Sequence, residues 1–374
     1  MLPPQLETRF SRGLPIPPAI SAESSRLPFL DLLRALASHL IVWHHLAFYG
    51  PMSDVAYSLA PRLIDLLFDH GRAAVQIFFV VGGMLTARTL ARGVPLDGRG
   101  AASAVWRRYR RIGFPYLAAL GVAVGANEVA RSLMDHSSIS GSPTLGQLFA
   151  HVLFLQHILG YEALTAGIWY LAIDFQMVLL TLLILGASAR GSGSPARSFW
   201  AAQAAFGLIA VASLFWFNRD SRLDNWAIYF FGSFFLGMAV QWTLSGKLPR
   251  SLLWSYAGLM VAAMILDWRR NLLVALITGL SLYGAGRSGL LSSWPRNRVT
   301  GFLGRISYSL FLIHFPVCLV INACVWRVWP ESATWSWAGM VAAYLLSIAA
   351  ATVFHRFVEA RFLSSAHPPP KLAN

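Results

Sequence analysis

The stretch PFLDLLRALASHLIVWHHLAF, residues 28–48, decides the fold. A helix needs about 20 largely apolar residues to cross the hydrocarbon of a bilayer, and this stretch has that length. Asp31, Arg34, His39, His44 and His45 interrupt its apolar run. On a helix, the eleven residues from Arg34 to His45 turn about 20° past three full turns and rise about 16.5 Å. The two therefore share one face, Arg34 near a membrane surface and His45 near mid-membrane. Asp31 lies one turn before Arg34 and can pair with it. His44 points about 80° away from Arg34, and His39 lies almost opposite. Charges in hydrocarbon are costly and mark functional candidates. A cation near one end and a titratable imidazole deeper on the same face suit a reaction between an anionic donor and a deeper acceptor. The plainer alternative has Asp31 and Arg34 anchoring the helix end while the histidines satisfy neighbouring backbone.

Outward from this stretch the pattern repeats. The 374 residues are 56% hydrophobic and 12% charged, against about a quarter charged in ordinary soluble domains. A soluble chain this apolar would expose patches it could not cover. The reading is an all-α, polytopic membrane protein of about ten transmembrane helices. They are expected near 29–49, 72–91, 112–130, 168–187, 199–217, 226–244, 251–266, 272–286, 301–325 and 335–358. Residues 145–160, apolar but holding His151, Gln156 and His157, read as an interfacial segment. Residues 1–27 are Pro- and Ser-rich and lack the apolar core of a signal peptide, so they read as a disordered cytoplasmic tail. Residues 28–363 form one transmembrane domain, and 364–374 a second cytoplasmic tail. The net charge of +14 does not indicate nucleic acid, because the arginines sit in short loops between apolar segments. With both termini in the cytoplasm, most of them fall inside, as the positive-inside rule expects. Arg269 and Arg270 are the main exception. Cys318 and Cys324 project in different directions from one apolar stretch and imply neither disulfide nor metal site.

Three further groups carry chemistry. Trp169-Tyr170-Leu-Ala-Ile-Asp174-Phe-Gln176 opens a span, and a carboxylate there needs a partner. Asp174 either orients a histidine or pairs with an arginine, while Trp169 and Tyr170 alone would be an interfacial aromatic belt. The run Arg107-Arg108-Tyr-Arg110-Arg111 precedes the third span. It either grips phosphates, which guanidinium forks bind bidentately, or serves as a topology signal. Small residues between Gly71-Arg72 and Gly82-Gly83-Met84 more often permit close helix packing than chemistry. Ser307, Tyr308 and His314 are polar groups inside an apolar segment, and His314 reads as a hydrogen-bonded core histidine. No metal-ligand cluster, P-loop or nucleophile elbow is present.

Taken in order, these pieces resemble acyltransferase family 3, whose members are membrane proteins that transfer acyl groups to hydroxyls of sugars, surface polysaccharides and other acceptors. The family's opening motif is similar to Leu30–Ala37 with His45 eleven residues beyond Arg34. Its glycine- and phenylalanine-rich motif is similar to Gly71–Met84, and its paired arginines to Arg108-x-x-Arg111 or Arg107-x-x-Arg110. Its Trp…Glu-x-Gln element is similar to Trp169–Gln176, and its Leu-Gly-x-Ile-Ser-Tyr-Ser motif ending in histidine to 303–314. Glu359 stands where the terminal span carries a glutamate. The chain departs at Gly82 for serine, Met84 for phenylalanine, Asp174 for glutamate, and by one extra residue between Arg111 and Pro115.

The resemblance implies transfer of an acyl group, most simply acetyl from acetyl-CoA, to a hydroxyl of an extracytoplasmic carbohydrate. Acyl-CoA is then a co-substrate, with no bound cofactor, metal or nucleic acid. His45 acts as general base or as a transient acyl carrier. Arg34 with Arg107, Arg108, Arg110 and Arg111 holds the anionic donor. Asp174 supports His45 or positions substrate, and Asp31, Trp169, Gln176, Ser307, Tyr308 and His314 support the site. The expected location is a bacterial inner membrane. The rival readings are a transporter of an anionic or acylated metabolite and a non-catalytic scaffold; transporter folds often carry internal repeats, and no clear repeat is present.

Overall fold

The structure, a computed structural model, describes residues 26–90, 98–191 and 194–364. The expected tails therefore lie almost wholly outside the described residues. Within them the elements run α1 (Pro28–Phe48), α2 (Met52–Ala56), α3 (Pro61–His70), α4 (Val75–Leu90), α5 (Gly98–Leu133), α6 (Leu145–Val152), α7 (Trp169–Gly191) and α8 (Pro195–Phe215). They continue with α9 (Ala227–Leu244), α10 (Arg250–Leu266), α11 (Arg270–Arg287), α12 (Leu290–Ser293), α13 (Arg298–Val328), α14 (Ala333–Phe354) and α15 (Ala360–Ser364). No strand occurs among the described residues.

Each of the ten expected segments overlaps a helix among the described residues. Seven helical stretches are long and apolar enough to cross a membrane: Pro61–Leu90, Gly98–Leu133, Trp169–Gly191, Pro195–Arg219, Ala227–Leu244, Arg298–Val328 and Ala333–Leu363. The others are α1, diluted by its charges and histidines, the shorter α10, and α11 with arginines at both ends. One boundary moves materially. α5 begins at Gly98, so the basic run Arg107–Arg111 lies inside this 36-residue helix and does not precede it. Residues 145–160 form the eight-residue α6 followed by turns, too short to span. Its start is a capping box in which the Thr144 side chain accepts from the Gln147 N–H while Gln147 reaches back, satisfying amides that a helix start leaves orphaned.

The central member is α13, which packs against α14, α1 and α5, while α4 packs along α9. Close packing follows from glycine, as the small-residue run suggested. A Cβ on Gly83 would sit 1.9 Å from the Phe234 carbonyl oxygen, and one on Gly237 would sit 1.9 Å from the Val80 carbonyl oxygen. The two backbones touch reciprocally, so only hydrogen fits at either position. Against α13, α1 is stitched near its start, where a Cβ on Gly304 would meet Asp31 Cβ at 2.5 Å. That contact fixes the rotation of α1 and thereby what its polar stripe faces.

Candidate active site

α1 is uninterrupted from Pro28 to Phe48, so the shared face of Arg34 and His45 survives folding. Two polar clusters result, one at each end of that face. His45 sits in the last turn of α1, nearer its end than the mid-membrane depth expected.

At this end a cavity of about 330 Å³ is lined by His44, His45, Tyr49, Asp69, Arg72, Trp169 and other residues. The His45 and His314 rings are hydrogen-bonded, Nδ1 to Nε2, at 2.7 Å. The opposite nitrogen of His314, Nδ1, lies 2.9 Å from the Leu310 carbonyl oxygen. A carbonyl can only accept, so His314 Nδ1 carries the proton there. In the neutral ring, Nε2 is then the acceptor, and the shared proton belongs to His45 Nδ1. The network therefore assigns the lone pair of His45 to Nε2, which has no hydrogen-bond partner among the described residues. His44 is oriented separately, its Nδ1 donating to the Leu67 carbonyl at 2.9 Å. His314 is thus a core histidine, as read from the sequence, and it also sets the tautomer of His45. No local pattern signals that second property, because α1 and α13 are distant in the chain.

Arg72 completes this end. Its guanidinium lies over the Trp169 ring, 5.0 Å from the centroid, and a longer 3.8 Å ion pair reaches Asp224. From the sequence it was only one member of a small-residue run; its signal was a lone charge opening an apolar segment.

The other cluster gathers around α5. Arg108 pairs with Asp174, whose side chain is 5% exposed. Of the two readings of Asp174, the structure shows the arginine pair, and His45 is held by His314 instead. Arg34 and Arg111 lie within electrostatic reach of each other, and Arg111 also of Arg108, Glu359 and Asp174. Tyr170 feels Asp174, Arg108 and Arg34. Arg108 and Arg111, one helical turn apart on α5, are thus the pair brought to Arg34. Arg107 bonds Ser103 on its own helix, and no hydrogen bond or ion pair to Arg110 is resolved among the described residues. Asp31 also departs from expectation. It accepts from Arg26, which lies just before the start of α1, at 2.7 Å rather than pairing with Arg34.

The remaining expected residues hold the frame. Gln176 donates to the Asn225 carbonyl at 3.1 Å and accepts from the Ala227 N–H at 2.8 Å, tying α7 to the start of α9. Ser307 bonds within its own helix to the Gly304 carbonyl. Tyr308 donates to the Ile112 carbonyl at 2.6 Å, joining α13 to α5 beside the arginines. Glu359 accepts from Ser309 at 2.5 Å and meets His355 Nδ1 at 2.9 Å. Gly82, where the resemblance has serine, faces the carboxylate: a Cβ there would lie 3.7 Å from Asp174 Oδ1. Among the described residues no group of three His, Cys, Asp or Glu could hold a metal ion.

The described residues thus form an apolar helical bundle with an imidazole in a cavity at one end and the Arg108–Asp174 pair, near Arg34 and Arg111, at the other. The acyltransferase 3 family, described as an acyltransferase domain, matches residues 27–356, and the chain belongs to that family. It is an integral membrane acyltransferase, which sets aside the transporter and scaffold readings. No curated protein and no solved structure matches it.

Proposed function

We propose that the protein moves an acyl group, acetyl in the simplest case, from a coenzyme A thioester to a hydroxyl of an extracytoplasmic carbohydrate such as a surface polysaccharide. The setting is a bacterial inner membrane. The observation that carries the reading is the Leu310–His314–His45 hydrogen-bond chain, which leaves the Nε2 lone pair without a hydrogen-bond partner among the described residues, on a side chain lining the cavity. Arg34, Arg108 and Arg111 would hold the donor's phosphates by charge-assisted hydrogen bonds. The bias of arginine toward one set of loops supports a cytoplasmic arginine cluster and an extracytoplasmic cavity. In the transfer, His45 Nε2 takes the acceptor's hydroxyl proton as the oxygen attacks the thioester carbonyl. The carbon–sulfur bond then breaks, the thiolate recovers that proton from His45, and ester and free thiol result.

The test uses membrane vesicles from the native host with radiolabelled acetyl-CoA, scoring label in the glycan fraction. His45→Ala is expected to abolish incorporation at normal membrane expression. His44→Ala, whose imidazole is oriented separately, is expected to keep it. Full activity in His45→Ala would overturn the assignment.

A further inference from the structure

Three rings stand between the two clusters. Phe78 of α4, Tyr170 of α7 and Phe311 of α13 form a closed triangle, with centroid separations of 5.6 Å for Phe78–Tyr170, 6.1 Å for Phe78–Phe311 and 5.7 Å for Tyr170–Phe311. Each of two helices threads from one cluster to the other through this triangle. On α13, Tyr308 lies beside the arginines, Phe311 three residues on lines the cavity, and His314 three further holds His45. On α7, Trp169 lines the cavity, Tyr170 enters the triangle, and Asp174, one turn later, pairs with Arg108.

Rings at these separations are in van der Waals or edge-to-face contact, which leaves no free bore between them. A donor gripped at Arg34, Arg108 and Arg111 must carry its thioester about 16.5 Å along α1 to reach His45. The straight route crosses the triangle. The acyl group leads, so its length decides how long the rings must stay displaced before the thioester arrives.

We propose that Phe78, Tyr170 and Phe311 form an aromatic constriction that selects short acyl groups as the donor's thioester passes from the arginine cluster to His45. The proposal rests on the donor reading above and deepens it. The rings act by sterics: an acetyl group clears them at once, whereas a longer chain must be held extended to enter and keeps them displaced over more of its length. Their closure also keeps water from running between the two clusters.

The experiment measures transfer from acetyl-, butyryl- and hexanoyl-CoA, radiolabelled in the acyl group, to the glycan of native vesicles. It compares the wild type with Phe311→Ala, the milder Phe311→Leu and Phe78→Leu, and with Phe230→Leu as a control outside the triangle. The wild type is expected to favour acetyl. Phe311→Ala is expected to raise the hexanoyl-to-acetyl rate ratio at least tenfold, with smaller rises in Phe311→Leu and Phe78→Leu and none in Phe230→Leu. Should Phe311→Ala fail to fold, the two leucine variants decide alone. An unchanged ratio in variants that still transfer acetyl would overturn the constriction and leave the donor reading standing. A wild type that transfers none of the three acyl groups would overturn both.

Discussion

Replacing His314 with phenylalanine removes the acceptor of the His45 Nδ1 proton while keeping a ring of similar size in the core. His45 Nδ1 would then be a buried donor without a partner, costing about 1–3 kcal/mol. The ring escapes that cost by moving its proton to Nε2, the nitrogen left free for the acceptor, where it blocks proton abstraction. Converted at room temperature, the penalty lowers the population of the active tautomer by about 5- to 160-fold. The expected result is a fall of that size in kcat with little change in donor KM. His314→Gln, whose side-chain oxygen can accept, is expected to recover part of it. The assay is steady-state transfer of labelled acetyl on solubilised protein of verified fold. An unchanged kcat in His314→Phe would refute the reasoning, because the tautomer of His45 would then not matter or not depend on His314.

The arginines separate by position. Arg111→Gln is expected to raise donor KM about 10- to 150-fold, the worth of a charge-assisted hydrogen bond, whereas Arg107→Gln and Arg110→Gln stay within about twofold; equal effects from all three would argue against Arg108 and Arg111 as the donor pair. Gly83→Ala puts a methyl into the Phe234 carbonyl at 1.9 Å, so folded yield should collapse. Gly121→Ala, with nothing within 4 Å, should be neutral or gain up to about 1 kcal/mol from helix propensity, as thermal unfolding in detergent would show. His151, outside the spans, is fully buried and bonded on both nitrogens, to the Gln147 carbonyl and from the Leu164 N–H. Burial pushes its pKa down to about 4. The unfolded chain therefore binds the proton first, and stability is lost as pH falls below about 6.5 and on toward 4, amounting to about 2 kcal/mol at pH 5. His151→Gln should flatten that acid loss, and an equal loss in the variant would count against it.

The helices were legible because hydropathy is local: each of the ten apolar stretches overlaps a helix, seven of them long and apolar enough to cross a membrane, with the start of α5 displaced by the charge that masked it. The stripe on α1 was legible for the same reason, since helical spacing fixes which residues share a face. Partners across helices were not. Nothing near Asp174 in the chain distinguishes Arg108 from a histidine as its mate, and nothing near His45 announces a ring 269 residues away. Such pairings depend on how α13 packs between α1 and α5, a property of tertiary packing that one-dimensional periodicity does not carry. Arg72 was overlooked because its role depends on the face of Trp169 beneath it.

The opening helix is joined to α13 twice, backbone against glycine at Gly304 and imidazole against imidazole at His314. Fastened at both ends, the pair behaves as a ruler of fixed length. Any donor anchored at the arginines must match its reach to that length, because the protein cannot stretch to meet one that falls short. Entry for the second substrate then has to come from the helices that flank the ruler, since the ruler itself has no slack to give.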